Sequence, residues 1–261
     1  MSEADKVPPQ SRSARNIRLL VAYDGTDFSG WQKQARNRTV QGVIENALEK
    51  LHKGPVTLTG SGRTDTGVHA SGQVANFYTS IQNMEAERFV PALNSLLPRD
   101  ARILEARETR GDFHARFDAR LRIYRYHFIT RRQASPWEAR YAWHLGRQPE
   151  IQRLNEYARL FRGEMDCSSF AVPSDKSKSR SRYISAASFF VEGDRLIFEI
   201  SANAFLWRMV RSIAGTLIRC EEKGLHTGAV REIIERRDYA LAGPTAPPQG
   251  LFLWRIDYYR D

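Results

Sequence analysis

The chain has 261 residues, enough to bury a core without disulfide or metal staples. With 41% apolar and 27% charged residues it has an ordinary globular balance, which excludes a disordered or collagen-like polymer. Lysine plus arginine outnumber aspartate plus glutamate by 40 to 30, and the formal charge of +10 attracts polyanions at long range; on charge alone, a nucleic-acid partner and a merely solubilising basic surface stand level.

The first fourteen residues read as a disordered polar leader without the apolar centre of a signal peptide. Ile17 to Tyr23 (IRLLVAY) predicts a buried strand, and DGTDFSGWQKQARN a glycine-punctuated loop with Trp31 as an exposed aromatic. Thr39 can cap a helix whose apolar positions Val40, Val43, Ile44, Ala47, Leu48 and Leu51 share one face, ended by Gly54-Pro55. Val56 to Thr59 predicts a short strand, Val74 to Tyr78 another, and Glu85 to Leu96 a second helix stopped by Pro98. Arg102 to Arg110 reads as a strand, and Phe113 to Thr130 as a long, basic, alternating one. A third helix spans Pro149 to Phe161, and a polar stretch follows whose Lys176 to Arg182 end is dense in positive charge. A hairpin turns at Glu192-Gly193-Asp194, Asn203 to Cys220 predicts a helix, Thr227 caps a short one to Arg237, and LFLWRIDYY supplies a final strand after a proline-rich loop.

Each half repeats strand, helix, strands, helix, strand, as a sheet with helices on one face requires. The seam falls near Gly111, dividing the chain into an N-terminal α/β domain over 15–111 and a C-terminal one over 112–261. Six histidines form no HxxxH or HxH pair, and Cys167 and Cys220 make no CxxC, so no metal site or cofactor is indicated. Two cysteines and the lack of any membrane-length apolar run point to a cytoplasmic protein.

The stretch GSGRTDTGVHASGQV, Gly60 to Val74, follows a predicted strand like an anion-binding turn, yet it lacks the lysine and following Ser or Thr of a phosphate loop. In a turn or extended backbone Arg63 and Asp65 can point the same way, so the guanidinium would hold the carboxylate and favour its charged form. Such an aspartate can be a nucleophile, a general base or a structural cap of its loop. His69 reads as a hydrogen-bonding partner of the loop or of RNA. Tyr124 and Tyr126 share a strand face among Arg120, Arg122 and Arg125, the mixture of rings and cations that unstacked bases need, although a tyrosine-rich core face would read the same. Arg208 and Arg211 stand three apart on one helix side and could point into a cleft between the halves.

GRTDTGVHA resembles the motif GRTDAGVHA of the tRNA pseudouridine synthase A family, with Thr66 where the family has alanine. YDGTDFSGWQ, FHARFDARLRIYRY, CSSF and NAFLWRMVR resemble further blocks of that family in the same order, so the likeness spans nearly the whole chain. The resemblance implies isomerisation of uridine to pseudouridine in the anticodon stem-loop of tRNA, just 3' of the anticodon, by a homodimer without cofactor or metal. It implies an α+β fold of two ferredoxin-like halves, their antiparallel sheets joined side by side, helices on one face and a basic cleft between. By the same resemblance Asp65 is the catalytic aspartate, Arg63 its ion-pair partner, Tyr124 the ring against the target uracil and Arg211 a further contact of Asp65. Lys176, Lys178, Arg180, Arg182 and Arg208, with Arg116, Arg120, Arg122, Tyr126 and His69, complete the expected RNA-binding set. Asp65 would act by attack at C1', by abstraction of the C2' proton or by attack at C6.

Overall fold

A computed structural model describes residues 14–259, so the predicted leader lies outside the described residues except for its last one. The first half runs β1 (Arg15–Tyr23), α1 (Val40–His52), β2 (Thr59–Gly60), β3 (His69–Thr79), α2 (Phe89–Asn94) and β4 (Ala101–Thr109). The second comprises β5 (Ala119–Ile129), α3 (Pro136–Ala139), β6 (Trp143–His144), α4 (Ile151–Arg159), β7 (Gly163–Asp166), β8 (Ser181–Glu192), β9 (Arg195–Ala202), α5 (Met209–Glu222), α6 (Thr227–Arg236) and β10 (Leu251–Tyr258).

The strands form one sheet in the order β4-β1-β3-β10-β5-β9-β8-β7, with β2 paired to β3 and β6 to β5. In the first half the spatial order is therefore β4, β1, β3, β2, and in the second β10, β5, β9, β8: fourth strand, first, third, second in both. That is the ferredoxin-like order built twice, with antiparallel pairing along each of these four-strand sets, while the short β6 pairs with β5 in parallel. The junction is parallel instead, with Phe252 opposite His69 and Leu253 opposite Ala70. It forms there because the two-residue β2 covers β3 only at Asn76 and Ala75, leaving the start of β3 open to a neighbour.

Alternation sorts the side chains. On β1, Ile17, Leu19 and Val21 are buried beneath α1, whose Val40, Ile44 and Leu48 meet them; on β5, Tyr124, Tyr126 and Phe128 face the layer of α4 and α5. Thr39 caps α1 as its position in the sequence predicts, accepting the Gly42 N–H at 3.3 Å. The predicted helix over 85–96 is a 3-10 turn at Ala86–Arg88 running into α2, beyond which the Asn94 carboxamide is held by the backbone of Ile103.

Two local expectations are corrected. Trp31 is buried, 2% exposed, because its ring lies against Tyr23 and under Gly60, where a Cβ would come within 2.5 Å of the indole. The helix expected from Asn203 begins only at Met209. Arg208 sits in the left-handed region at φ 61, and the Asn203 and Asp175 side chains take the N–H groups of Ala204 and Trp207, so the segment before it is a braced loop.

Candidate active site

Asp65 lies on the loop between β2 and β3, and that loop is held from several sides. Ser61 Oγ bonds Gln73 Oε1 at 2.7 Å, Gln73 Nε2 donates to Gly62 O at 2.8 Å, and Thr64 Oγ1 lies 2.8 Å from Tyr23 OH. The Trp31 N–H donates to Thr64 O at 3.1 Å, and the Gly67 N–H to Phe28 O at 3.3 Å. This close approach requires glycine at position 30, where φ is +84 and a Cβ would stand 2.5 Å from Thr64 O. The DGTDFSGWQ segment is thus the floor of the Asp65 loop, a role its sequence alone does not disclose.

From the other half, α5 brings Arg211 in its first turn. Arg211 Nε donates to Ala246 O at 2.8 Å, which aims its Nη1 at Asp65 Oδ2, 3.1 Å away. Both side chains are largely buried, at 12% and 19% exposure, so the pair acts in a partly desolvated setting where charge counts for more. Tyr124 approaches from β5, 7% exposed, with Phe205 edge-on at 5.1 Å. Burial pushes its phenol above the ordinary value, the nearby Asp65 carboxylate pushes it further, and Arg122 opposes both. The phenol is therefore protonated at neutral pH. Asp65, Arg211 and Tyr124 thus come together from a loop, a helix and a strand of different halves.

Several other expected residues are placed otherwise. Arg63 is exposed and makes no ion pair with Asp65; Thr64 between them is anchored to Tyr23, and the turn closed by Val68 N–H to Asp65 O gives the carboxylate to Arg211. Tyr126 is fully buried, donates to Pro247 O at 2.6 Å and packs on Phe128 and Trp143, so it is core and has no face for a base. His69, 1% exposed, ties the start of β3 to the loop after β1: Nδ1 accepts the Gly25 N–H at 3.0 Å, and the ring stacks on Phe252 at 4.7 Å. Register puts His69 and Phe252 on the sheet face opposite Ala70, Leu253 and Tyr124, away from Asp65.

Arg122 is not a free phosphate ligand. Its Nη1 donates to Ala119 O at 3.1 Å and Asn203 O at 2.6 Å, and its Nη2 to Ser61 O at 3.1 Å and Arg116 O at 2.6 Å. The guanidinium thereby ties the Asp65 loop to the loop before α5. Arg182 is half-buried and donates to Ser179 O and Ser181 O, bracing its own segment. Arg116, Arg120, Lys176, Lys178 and Arg208 are exposed, and Arg180 is partly so. Among the described residues no cluster of three or more His, Cys, Asp or Glu side chains is disposed to hold a metal, and no helix is long and apolar enough to cross a membrane. Cys167 and Cys220 are buried free thiols, the first pushed up to about 12 by burial.

Sequence reasoning missed Tyr23, Gln73 and the Asp24 cluster. Asp24 Oδ2 accepts from Tyr141 OH at 2.8 Å and Arg140 Nε at 3.1 Å, another bond between the halves. Gln73 is a fully buried amide that needs partners, but its strand, HASGQVANFYT, is mixed in polarity, so its signal in the sequence was weak. Arg140 and Tyr141 carried none.

The family model described as tRNA pseudouridine synthase matches residues 19–118 and 157–259. The tRNA pseudouridine synthase A of Treponema denticola is 51% identical, the match covering 96% of each chain. That of Halalkalibacterium halodurans is 41% identical over 92% of each, and that of Brachyspira hyodysenteriae 40% identical over 94% of this chain and 99% of its own.

Proposed function

The chain belongs to the tRNA pseudouridine synthase family and isomerises uridine to pseudouridine in tRNA, and from that premise we propose that Asp65, Arg211 and Tyr124 carry out the reaction on a uridine of the anticodon stem-loop, just 3' of the anticodon. The observation that carries this reading is the Asp65–Arg211 pair at 3.1 Å beside the Tyr124 ring, assembled from both halves.

The reaction breaks the N1–C1' bond and forms C5–C1'; N1 gains a proton and C5 loses one, so no redox cofactor or group donor enters. Asp65 serves as nucleophile at C1' or as base at C2'. In either route its carboxylate must stand close to the ribose with fixed orientation, which the braced loop and Arg211 provide. A uridine stacked in a stem-loop must first leave its stack, and Tyr124 packs against the flipped uracil. A protonated phenol can still relay the C5 proton, accepting it while releasing its own toward Asp65. Exposed Arg63, Arg120, Arg208, Lys176 and Lys178, with partly exposed Arg180, face phosphates and read the folded RNA by shape. The protein acts in the cytoplasm as a homodimer, a reading that the family resemblance supports and that sedimentation velocity would test.

Carbodiimide primer extension on a tRNA transcript incubated with the protein tests the assignment. Stops confined to uridines just 3' of the anticodon are expected; stops elsewhere, or none, overturn it.

A further inference from the structure

The loop before α5 holds an aromatic ring that the catalytic trio does not use. In NAFLWR, Phe205 turns in against Tyr124, Leu206 enters the core, and Trp207 turns out, 46% exposed. The loop is rigidly built: Asn203 Oδ1 accepts the N–H groups of Ala204 at 2.9 Å and Tyr183 at 3.1 Å, and Asp175 Oδ2 accepts that of Trp207 at 2.7 Å. Arg208 follows in the left-handed region at φ 61, a conformation unfavourable for a side chain with a Cβ, and its guanidinium lies 5.0 Å from the Trp207 ring centroid. Asp175 also brings in the exposed Lys176 and Lys178 behind it.

Other rings are exposed as well, Trp137, Tyr183 and Tyr259 among them, and Phe117 is covered by His114 at 4.2 Å; Trp207 is set apart by its place on the braced loop that holds Phe205 against Tyr124. A large, pre-ordered, open indole flanked by cations is a surface for a nucleobase, since every base has a π-face and little ordering entropy remains to be lost.

We propose that Trp207 is a stacking platform for an unpaired base neighbouring the flipped uridine, with Arg208, Lys176 and Lys178 on its phosphates. This rests on reading the Asp65 cleft as the site of tRNA modification. Trp207 lies two residues along the loop from Phe205, whose ring meets Tyr124, so the platform receives a nucleotide beside the one that Tyr124 receives.

The test compares the full-length protein with its Trp207→Ala and Trp207→Phe variants on one tRNA transcript. Tritium release gives KM and kcat, and filter retention gives Kd. Trp207→Ala should raise KM and Kd by about tenfold to a hundredfold, the size of one lost base stack, with kcat within about twofold, and Trp207→Phe should recover most of the loss. An abasic site at the stacked nucleotide should weaken wild-type binding to the level of Trp207→Ala and leave that variant unaffected. Unchanged Kd in Trp207→Ala, or equal losses in Ala and Phe, would overturn the proposal. So would an altered sedimentation coefficient with unchanged Kd, which would assign the ring to a contact between copies. If wild type binds the transcript without releasing tritium, the catalytic reading fails while the retention arm still decides the stack.

Discussion

Replacing Arg122 by methionine separates a structural clamp from a phosphate contact. The guanidinium donates to four carbonyls; those of Arg116 and Asn203 face water and recover hydration in the variant, whereas those of Ala119 and Ser61 are partly buried and do not. A hydrogen bond to a charged group contributes about 1.5–3 kcal/mol, and relief of the guanidinium's own desolvation offsets part of the loss, so a net destabilisation of about 3 kcal/mol is expected. In urea the midpoint should fall by roughly 1 M at unchanged slope. Because Ser61 leads into the Asp65 loop and Asn203 into the loop before α5, kcat should fall as well. The dependence of tRNA affinity on salt should keep its slope, since no phosphate contact is removed. A midpoint moved by less than about 0.2 M, together with a log–log salt slope reduced by about 1, would refute the clamp and restore the phosphate role.

Tyr124→Phe should leave tRNA affinity near wild type while lowering kcat by about a hundredfold or more, and Tyr124→Leu should weaken both; equal activity in the two would refute stacking. His127 offers a pH dependence. Burial, reinforced by Arg195 and Arg125, holds it down to about 4 against an ordinary 6.5, and neither ring nitrogen has a hydrogen-bond partner among the described residues. Between those values the unfolded chain takes up a proton that the folded chain refuses, so stability is full above 6.5 and declines as pH falls toward 4. His127→Leu should flatten that decline at little cost at pH 8, and chemical denaturation across the range measures it; an unaltered decline would refute the assignment.

The alternation of strands and helices in each half was legible because apolar periodicity marks elements locally, and Thr39 announced the start of α1, whereas the ferredoxin-like order was an expectation from the family resemblance alone. What escaped depends on partners distant in sequence. Trp31 looked exposed within a polar loop because its cover, Tyr23 and Gly60, comes from elsewhere in the fold. The Arg63–Asp65 spacing suggested a pair, but Thr64 is tethered to Tyr23 and the carboxylate turns to Arg211, 146 residues away. Arg122 and Arg116 have the same composition-level signature, and only the carbonyls around Arg122 distinguish clamp from ligand. A periodic apolar face likewise could not show that α5 starts at Met209, because the left-handed Arg208 is stabilised by tertiary bonds to the loop before it.

In the proposed reaction the Asp65 carboxylate performs the chemistry. Incubating the protein with tRNA tritiated at C5 of uridine and counting released tritium tests it most directly. Release by wild type, with release lost in an Asp65→Asn variant that still binds tRNA, is the predicted result, and undiminished release by that variant would contradict it.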